Sequence, residues 1–207
     1  MYNIYDCEKM EVDIKVDGID PRDMRFYEKQ TDSRSLFEGR VLHLFLDSVE
    51  LPDGSAARRE VIRHNGAVCV LPLTDEGDVI CVRQYRHAVG KMMLELPAGK
   101  LDSKNENPTD AAMRELREET GFTCGRLTEL GVMYGSPAIL DEAIHLYLAE
   151  ELTEGEARPD EGELLEVVRI PLPKLADAVA HGEVTDAKTQ IAVLKAYLFK
   201  NHGGTVK

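Results

Sequence analysis

The 207-residue chain is 43% hydrophobic, which is enough apolar material for one well-packed core or for a core domain with a small accessory domain. Charged residues make up 30% of the sequence and the formal net charge is −13, so the chain lacks the excess of Lys and Arg that nucleic-acid binding requires. No stretch approaches the ~20 apolar residues of a membrane span, and no basic segment followed by an apolar run indicates a secretory signal.

The N-terminal part of the chain is predicted to form a small antiparallel β element. Residues 1 to about 35 are polar and weakly patterned, whereas residues 40–51 and 57–64 are strand-like and are separated by the turn signal Pro-Asp-Gly at 52–54. We therefore predict an accessory β domain over residues 1–63 and a main domain over residues 64–207. Because a small β element cannot bury both of its faces alone, we also predict a homodimer.

The main domain is predicted to mix strands and helices without a regular βαβ alternation. Its first segment, residues 67–73, is rich in apolar and β-branched residues and is typical of a buried strand. Further strands are predicted at residues 79–86, 91–97, 126–134, 142–152 and 164–172, and helices at 108–120, 173–180 and 186–201. The last helix has an apolar stripe comprising Ile191, Val193, Leu194, Ala196 and Leu198. This order favours an α+β fold with a mixed sheet over a doubly wound one.

The four cysteines, Cys7, Cys69, Cys81 and Cys124, are widely spaced and form no Cys-x-x-Cys pair. This pattern predicts neither a zinc site nor a disulfide framework. Cys69 and Cys81 lie in apolar segments and are expected to be small core residues. We therefore expect a reducing, cytoplasmic location.

The helix over residues 108–120 carries acidic residues where they are locally unfavourable. Asn107 is a candidate N-cap and Gly121 a candidate C-cap. Glu115 and Glu119 are four residues apart and share one face, with Glu118 beside them, so their charges repel and lie near the negative end of the helix dipole. Two interpretations follow: a solvated acidic face, or carboxylates placed to bind a cation.

The spacing around this helix resembles the Nudix box, which is Gly, five residues, Glu, seven residues, then Arg-Glu-U-x-Glu-Glu-x-Gly-U with U apolar. Here Gly99 is followed by six residues, Glu106, seven residues and the segment Arg-Glu-Leu-Arg-Glu-Glu-Thr-Gly-Phe, which begins at Arg114. The one departure is the extra residue in the polar loop, where an insertion costs little. We favour Glu106 as the first Glu of the box, paired with Arg114; the alternative places Asn105 there.

The resemblance implies an α/β/α sandwich with a mixed sheet and a hydrolase of nucleoside diphosphates linked to another group. It implies a divalent cation, Mg²⁺ or alternatively Mn²⁺, with Glu115 and Glu119 as its first ligands. Glu118 would share this cation or bridge two cations, and the Ala98 carbonyl would be a further ligand. Clustered carboxylates without neighbouring His or Cys suit Mg²⁺ rather than zinc. Gly99, Glu106, Arg114 and Gly121 are then structural positions of the box.

The surrounding sequence resembles the ADP-ribose pyrophosphatase subfamily. Residues 82–102 are similar to its strand and loop before the box, Pro137 follows Gly121 by 16 residues, where that subfamily carries a marker proline, and the N-terminal β element resembles its accessory domain. The resemblance implies cleavage of ADP-ribose to AMP and ribose 5-phosphate, in a dimer whose sites use residues of both chains. The alternatives are another nucleotide sugar such as GDP-mannose, or a non-catalytic nucleotide-sugar binder.

An anionic substrate in an acidic protein requires local cations. Arg59, Arg83 and Arg86 are the candidates, because a guanidinium group matches phosphate oxygens, although each is equally compatible with a plain surface position. Glu95, two residues before the Pro-Ala-Gly turn, is a candidate for holding a ribose hydroxyl or a water molecule; a charge at the strand edge is the other interpretation.

A general base for the attacking water is expected after the box. By resemblance it comes from a loop, and the acidic segment before the late strand offers Glu163 first and Glu161 second. A box glutamate such as Glu118 is the remaining candidate for the base. The acidic segment could also be a solvated loop without a catalytic role.

Overall fold

The structure is a computed structural model that describes residues 21–158, 162 and 164–201. Its strands are β1 (Lys29–Glu38), β2 (His43–Glu50), β3 (Ala56–Arg63), β4 (Ala67–Pro72), β5 (Asp78–Arg86), β6 (Lys91–Glu95), β7 (Ala98–Lys100), β8 (Thr123–Tyr134), β9 (Ala143–Thr153) and β10 (Leu165–Pro171). Its α-helices are α1 (Pro108–Thr120), α2 (Leu172–Ala180) and α3 (Ala187–Asn201). Short 3₁₀ helices lie at Pro21–Phe26 and His87–Val89.

The strands form three sheets. The sheet β1-β2-β3 is antiparallel, as is the sheet β10-β5-β6. The four-stranded sheet has the order β7-β4-β9-β8 and is mixed, because β4 and β9 run parallel while the other pairs are antiparallel. The predicted α+β fold with a mixed sheet is confirmed.

Strand β4 lies at the centre of the molecule, with all six of its residues buried. Alternate side chains of a strand point to opposite faces. On one face, Val68 and Val70 pack in a cluster with Leu116 of α1. On the other face, Leu71 packs in a cluster with Val193 of α3 and with residues of α2. The mixed sheet is therefore covered by helices on both sides, and α1 is packed against one face of it through Leu116.

The N-terminal sheet contains one strand more than the sequence pattern predicted. Strands β2 and β3 match the predicted segments, but β1 (Lys29–Glu38) was not predicted, because every residue in it except the half-buried Ser33 is exposed and no alternation is visible. The sheet is attached to the main domain where the Ile62 N–H donates to the Ile139 carbonyl at 2.7 Å. Whether residues 1–63 form an independent domain stays a prediction.

Helix α3 buries only part of the predicted apolar stripe. Leu194 and Leu198 are 41% and 54% exposed, whereas Ala192, Val193 and Ala196 are fully buried. The prediction was wrong for the two leucines because small residues, rather than the largest ones, allow the helix to lie close against the sheet. No helix among the described residues is long and apolar enough to cross a membrane.

The cysteines that the structure describes are free thiols. Cys69 and Cys81 are fully buried in the core, as expected. Burial raises the pKa of the Cys81 thiol to about 12, and it also raises the pKa of Cys69. These two thiols are therefore core residues with little thiolate character. Cys7 lies outside the described residues.

Candidate active site

Helix α1 has the ends that the sequence predicted. The Asn107 side chain accepts the Thr109 N–H at 2.9 Å. At the other end, Gly121 adopts the left-handed conformation with φ of 80° and donates its N–H to the Arg117 carbonyl. Leu116 is buried against the sheet. These anchors fix the rotation of the helix and turn its glutamate-bearing side toward the loop that precedes it.

Strand β7 approaches α1 so closely that a side chain at position 99 would have to displace the Glu115 carboxylate. A Cβ atom on Gly99 would lie 2.0 Å from Cδ of Glu115. The neighbouring Ala98 N–H donates to Oε2 of Glu119 at 3.0 Å, and Glu119 is only 4% exposed. The backbone at Ala98 and Gly99 therefore lies directly against two carboxylates of the helix.

Arg114 holds the remaining acidic side chains of the helix together. Its Nη1 lies 2.7 Å from Oε1 of Glu115 and 3.3 Å from Oε2 of Glu118, and its Nη2 lies 3.3 Å from Oε1 of Glu106. Burial opposes the charge, but the carboxylates of Glu115, Glu106 and Asp102 raise the pKa of Arg114 above its ordinary value. The carboxylates of Glu115 and Glu118 thus converge on a single cationic group.

The extra residue of the loop is accommodated in a turn. The Glu106 N–H donates to the Ser103 carbonyl at 3.1 Å, and the Asp102 N–H donates to Oε2 of Glu106 at 2.5 Å. Glu106 therefore contacts both Arg114 and the start of the turn. The structure brings Glu106 to Arg114, and the Asn105 N–H instead contacts the Ser103 hydroxyl at 3.3 Å.

The donor set around this contact fits a hard divalent cation. Within the described part of the chain no three His, Cys, Asp or Glu side chains converge as a complete metal site. In this structure Glu115 and Glu118 instead face Arg114, and Glu119 faces Ala98. All the candidate ligands offer oxygen atoms, as Mg²⁺ prefers, and the Glu115 carboxylate lies against Gly99 while Glu119 is bonded to the adjacent Ala98 N–H.

A cleft of about 790 Å³ opens in front of these residues. It is bounded by the N-terminal sheet, the loop after β6, helix α1 and the start of α3. Basic groups that line it include Arg40, Arg86, Lys100 and Lys188, and acidic ones include Glu115 and Glu118. Its volume falls in the range of small-molecule sites, and its mixed charges suit an anionic ligand that is bound together with a cation.

A buried ion network forms the side of the cleft opposite α1. Glu95 is 1% exposed and accepts two hydrogen bonds from Arg86, at 2.7 and 2.8 Å, and one from Lys188 Nζ at 2.6 Å. Lys188 also contacts Asp186 at 3.0 Å. Burial alone would raise the pKa of Glu95, but its bonds to Arg86 and Lys188 outweigh it and hold the pKa below the ordinary value of 4.5.

Comparison with known proteins identifies the family. A family model of the NUDIX domain matches residues 63–191. The ADP-ribose pyrophosphatase of Bacillus subtilis is 44% identical over 168 residues, which is 80% of this chain and 90% of that protein. The chain belongs to the Nudix hydrolase family.

Other Nudix-type relatives differ in their named activities. A methanol dehydrogenase activator of Bacillus methanolicus is 41% identical over 81% of this chain and 91% of that protein. The GDP-mannose pyrophosphatase of Escherichia coli is 32% identical over 78% of this chain and 89% of that protein. A crystal structure of an ADP compounds hydrolase superposes with a TM-score of 0.75 over 86% of this chain and 97% of that one, at 24% identity, which shows a shared fold.

The structure places the remaining predicted residues of this Nudix hydrolase at different distances from the cleft. Arg86 and Glu95 meet at its side, as described. Arg59 forms an exposed ion pair with Glu28, and Arg83 one with Glu166; neither arginine lines the cleft of its own chain. Pro137 lies in an exposed turn just before β9.

The two predicted loop bases, Glu161 and Glu163, lie outside the described residues. The described part of their loop is attached to the Nudix helix, because the Arg158 N–H donates to the Glu118 carbonyl at 2.9 Å. A Cβ atom on Gly121 would lie 2.6 Å from the Gly155 carbonyl, so the loop backbone packs directly on the helix end.

Several cleft residues were not predicted from the sequence. Arg40, His43, His64, Glu142 and Lys188 line the cleft, but they belong to separate parts of the chain and to no recognisable spacing. Lys100 directly follows Gly99, and its proximity to the box was the one signal that could have suggested it. The ion network of Lys188 depends on the packing of α3, which no local pattern encodes.

Glu95→Gln is expected to destabilise the fold by about 2 kcal/mol, because it leaves the buried Lys188 and the half-exposed Arg86 without a full counter-charge. Since the folded pKa of Glu95 lies below 4.5, its contribution is present above that pH and is lost as the pH falls through the folded value. The free energy of unfolding, measured in urea at neutral pH and at about pH 3.5, should therefore fall less on acidification in the variant than in the wild type. Equal acid-induced losses in both proteins would contradict this assignment.

Proposed function

We propose that this Nudix hydrolase cleaves the pyrophosphate bond of ADP-ribose to give AMP and ribose 5-phosphate. The observation that carries the proposal is the convergence of Glu115 and Glu118 on Arg114 at the wall of the cleft, with the Glu115 carboxylate packed against Gly99. The substrate is supported by the relative from B. subtilis, which is named as an ADP-ribose pyrophosphatase and spans most of the chain.

We further propose that Mg²⁺, with Mn²⁺ as a substitute, is the cation. Glu115, Glu118, Glu119 and the Ala98 carbonyl would hold it, since all four lie where α1 meets the loop after β6. When bound, such a cation neutralises phosphate charge, polarises phosphorus and lowers the pKa of a bound water. Arg114 would keep the carboxylates grouped in its absence.

The residues of the chain have separable roles in this proposal. Arg86, together with Arg40 and Lys100, would bind the diphosphate oxygens from the other walls of the cleft. A water oxygen forms a new bond to one phosphorus and the bridging P–O bond breaks. The proton of the water passes to a carboxylate, with Glu163 as our first choice and Glu161 and Glu118 as alternatives.

A substrate panel tests the proposed activity. Purified protein with Mg²⁺ should convert ADP-ribose to equal amounts of AMP and ribose 5-phosphate, measured by chromatography, and should do so faster than it cleaves GDP-mannose. Faster release of GMP from GDP-mannose would favour the second candidate, which the E. coli relative supports. Tight binding of ADP-ribose without turnover of either compound would instead indicate a non-catalytic binder.

Gly99→Ala is expected to weaken cation binding and activity by roughly 10–100-fold, because the added methyl group would displace the Glu115 carboxylate. A suitable control is Gly77→Ala, which meets no atom within 4 Å and lies far from the cleft, although its φ of 88° costs some stability. Mn²⁺ titration and the rate of ADP-ribose hydrolysis measure the two effects. Unchanged Mn²⁺ affinity in Gly99→Ala would contradict the role of the close approach.

We also propose that residues 1–63 act as a dimerisation domain. Leu36, Phe37, Val41 and Leu42 of the N-terminal sheet region are each more than 40% exposed, which leaves apolar surface for a second copy to cover. A dimer would also allow Arg59, which lies outside its own cleft, to serve the site of the other chain. Light scattering at micromolar concentration should give twice the chain mass of 23.1 kDa, and a monomer mass would contradict the proposal.

We propose a cytoplasmic location. The support is chemical: Cys69, Cys81 and Cys124 are free thiols in the structure, and free thiols persist in a reducing compartment. Fractionation of the native host with an antibody against the protein tests it, and recovery in an extracytoplasmic fraction would contradict it.

A further inference from the structure

Thr189 is a fully buried polar residue in the first turn of α3. Its hydroxyl lies 2.6 Å from Oδ2 of Asp186 and 2.9 Å from the N atom of Leu96. Because both the Asp186 carboxylate and the Leu96 N–H have fixed roles, the hydroxyl must donate to Asp186 and accept from Leu96. Its orientation is therefore fixed by two partners on different elements.

The Leu96 N–H needs this acceptor because it lies just beyond the end of strand β6 and is buried. The next residues are held equally firmly: the Pro97 carbonyl accepts an N–H from β4 at 2.9 Å, and the Ala98 N–H donates to Glu119. Three consecutive residues thus each make one hydrogen bond with a different element. Thr189 makes the first of the three, at the point where the chain passes from β6 to β7.

We propose that Thr189 is a positioning residue for the cation site: through Leu96 it helps to set the placement of Ala98, which pairs with Cys69 of β4 and donates its N–H to Glu119. This inference rests on the proposed function, because the role of Ala98 as a ligand belongs to it. The contact extends the site to the opposite side of the mixed sheet from α1. Helix α3 thereby acts on the geometry of the box without touching its carboxylates.

A purely structural role, capping of α3, does not account for the hydroxyl. Asp186 already accepts the backbone N–H of Thr189 at 3.0 Å, and any residue at position 189 supplies that N–H. Only a hydroxyl at this position can accept from Leu96 while donating to Asp186. The hydroxyl therefore joins the start of helix α3 to the segment at Leu96.

The test compares full-length variants by Mn²⁺ binding, followed by electron paramagnetic resonance of the free ion. Thr189→Val keeps the shape and loses the hydroxyl, and we expect its Mn²⁺ dissociation constant to rise roughly 10–100-fold. Thr189→Ser keeps the hydroxyl and should stay within about twofold of wild type, given that the geometry of the donor is retained. Val193→Ala, a fully buried residue of the same helix, controls for loss of stability alone and should also stay within about twofold, because the valine side chain takes no part in the hydrogen bond to Leu96.

A folded Thr189→Val protein that binds Mn²⁺ as tightly as the wild type would overturn the inference, as would an equal loss in Val193→Ala. If the valine variant fails to fold, Thr189→Ala, which also removes the hydroxyl, replaces it in the same comparison. The binding measurement is independent of the substrate. A wild type that binds Mn²⁺ but leaves ADP-ribose intact would therefore overturn the proposed activity, while the comparison at position 189 still decides the inference.

Discussion

Glu119→Gln is expected to lower the rate of ADP-ribose hydrolysis by roughly 1,000-fold, because a bound cation contributes several kcal/mol of charge stabilisation to the transition state. Glu119 is 4% exposed and accepts the Ala98 N–H, and a glutamine amide oxygen can keep that hydrogen bond. The substitution therefore removes the charge of the proposed ligand while it retains the shape and the contact with the loop. The steady-state rate at saturating ADP-ribose, measured over a range of Mg²⁺ concentrations, gives the loss.

The control for this change is Asp110→Asn, which also converts a carboxylate to an amide on helix α1 but lies on its exposed first turn, away from the cleft. We expect it to retain the wild-type rate. Thermal unfolding of both variants separates activity from stability. A Glu119→Gln protein that is folded and hydrolyses ADP-ribose within threefold of wild type would remove Glu119 from the ligand set.

Helix α1 could be predicted to the residue because its signals are local. Asn107 caps one end, Pro108 suits the first turn and Gly121 ends the helix, and each acts within one turn of its own position. Strand β1 could not be predicted, because its ten residues are almost all exposed and because it forms a strand only by pairing with β2. The burial of α3 also depends on long-range packing, which is why its two exposed leucines were misassigned.

The same distinction applies to the candidate site. The spacing from Gly99 to Gly121 placed Glu115, Glu118 and Glu119 on one helix and predicted the contact between Arg114 and Glu106. Arg86 and Lys188, which also line the cleft, are 102 residues apart and are held together by the buried Glu95, a contact that depends on the packing of α3 against the sheet. The turn that absorbs the extra loop residue was also invisible in the sequence, since Ser103 and Glu106 form it through backbone hydrogen bonding.

Glu163→Gln is expected to reduce kcat by about 100–10,000-fold with little change in KM, because a general base acts in the transition state and contributes little to substrate binding. The attachment of the loop supports this position: the Arg158 N–H is bound to the Glu118 carbonyl, and the five residues from there to Glu163 span at most about 18 Å. A side chain at position 163 is therefore within chain reach of the helix that carries the proposed ligands. Rates across pH, at saturating ADP-ribose and Mg²⁺, measure the effect.

Two further carboxylates of the same loop decide between the candidate bases. Glu156→Gln changes an exposed residue that pairs with Arg158, and it should keep the wild-type kcat, since it lies before the point of attachment. Glu161→Gln should lower kcat far less than Glu163→Gln does. A larger loss in Glu161→Gln would move the base to that position, because one water proton needs one principal acceptor. Near-wild-type rates in both variants would place the base on α1 itself, where Glu118 lines the cleft and is our remaining candidate.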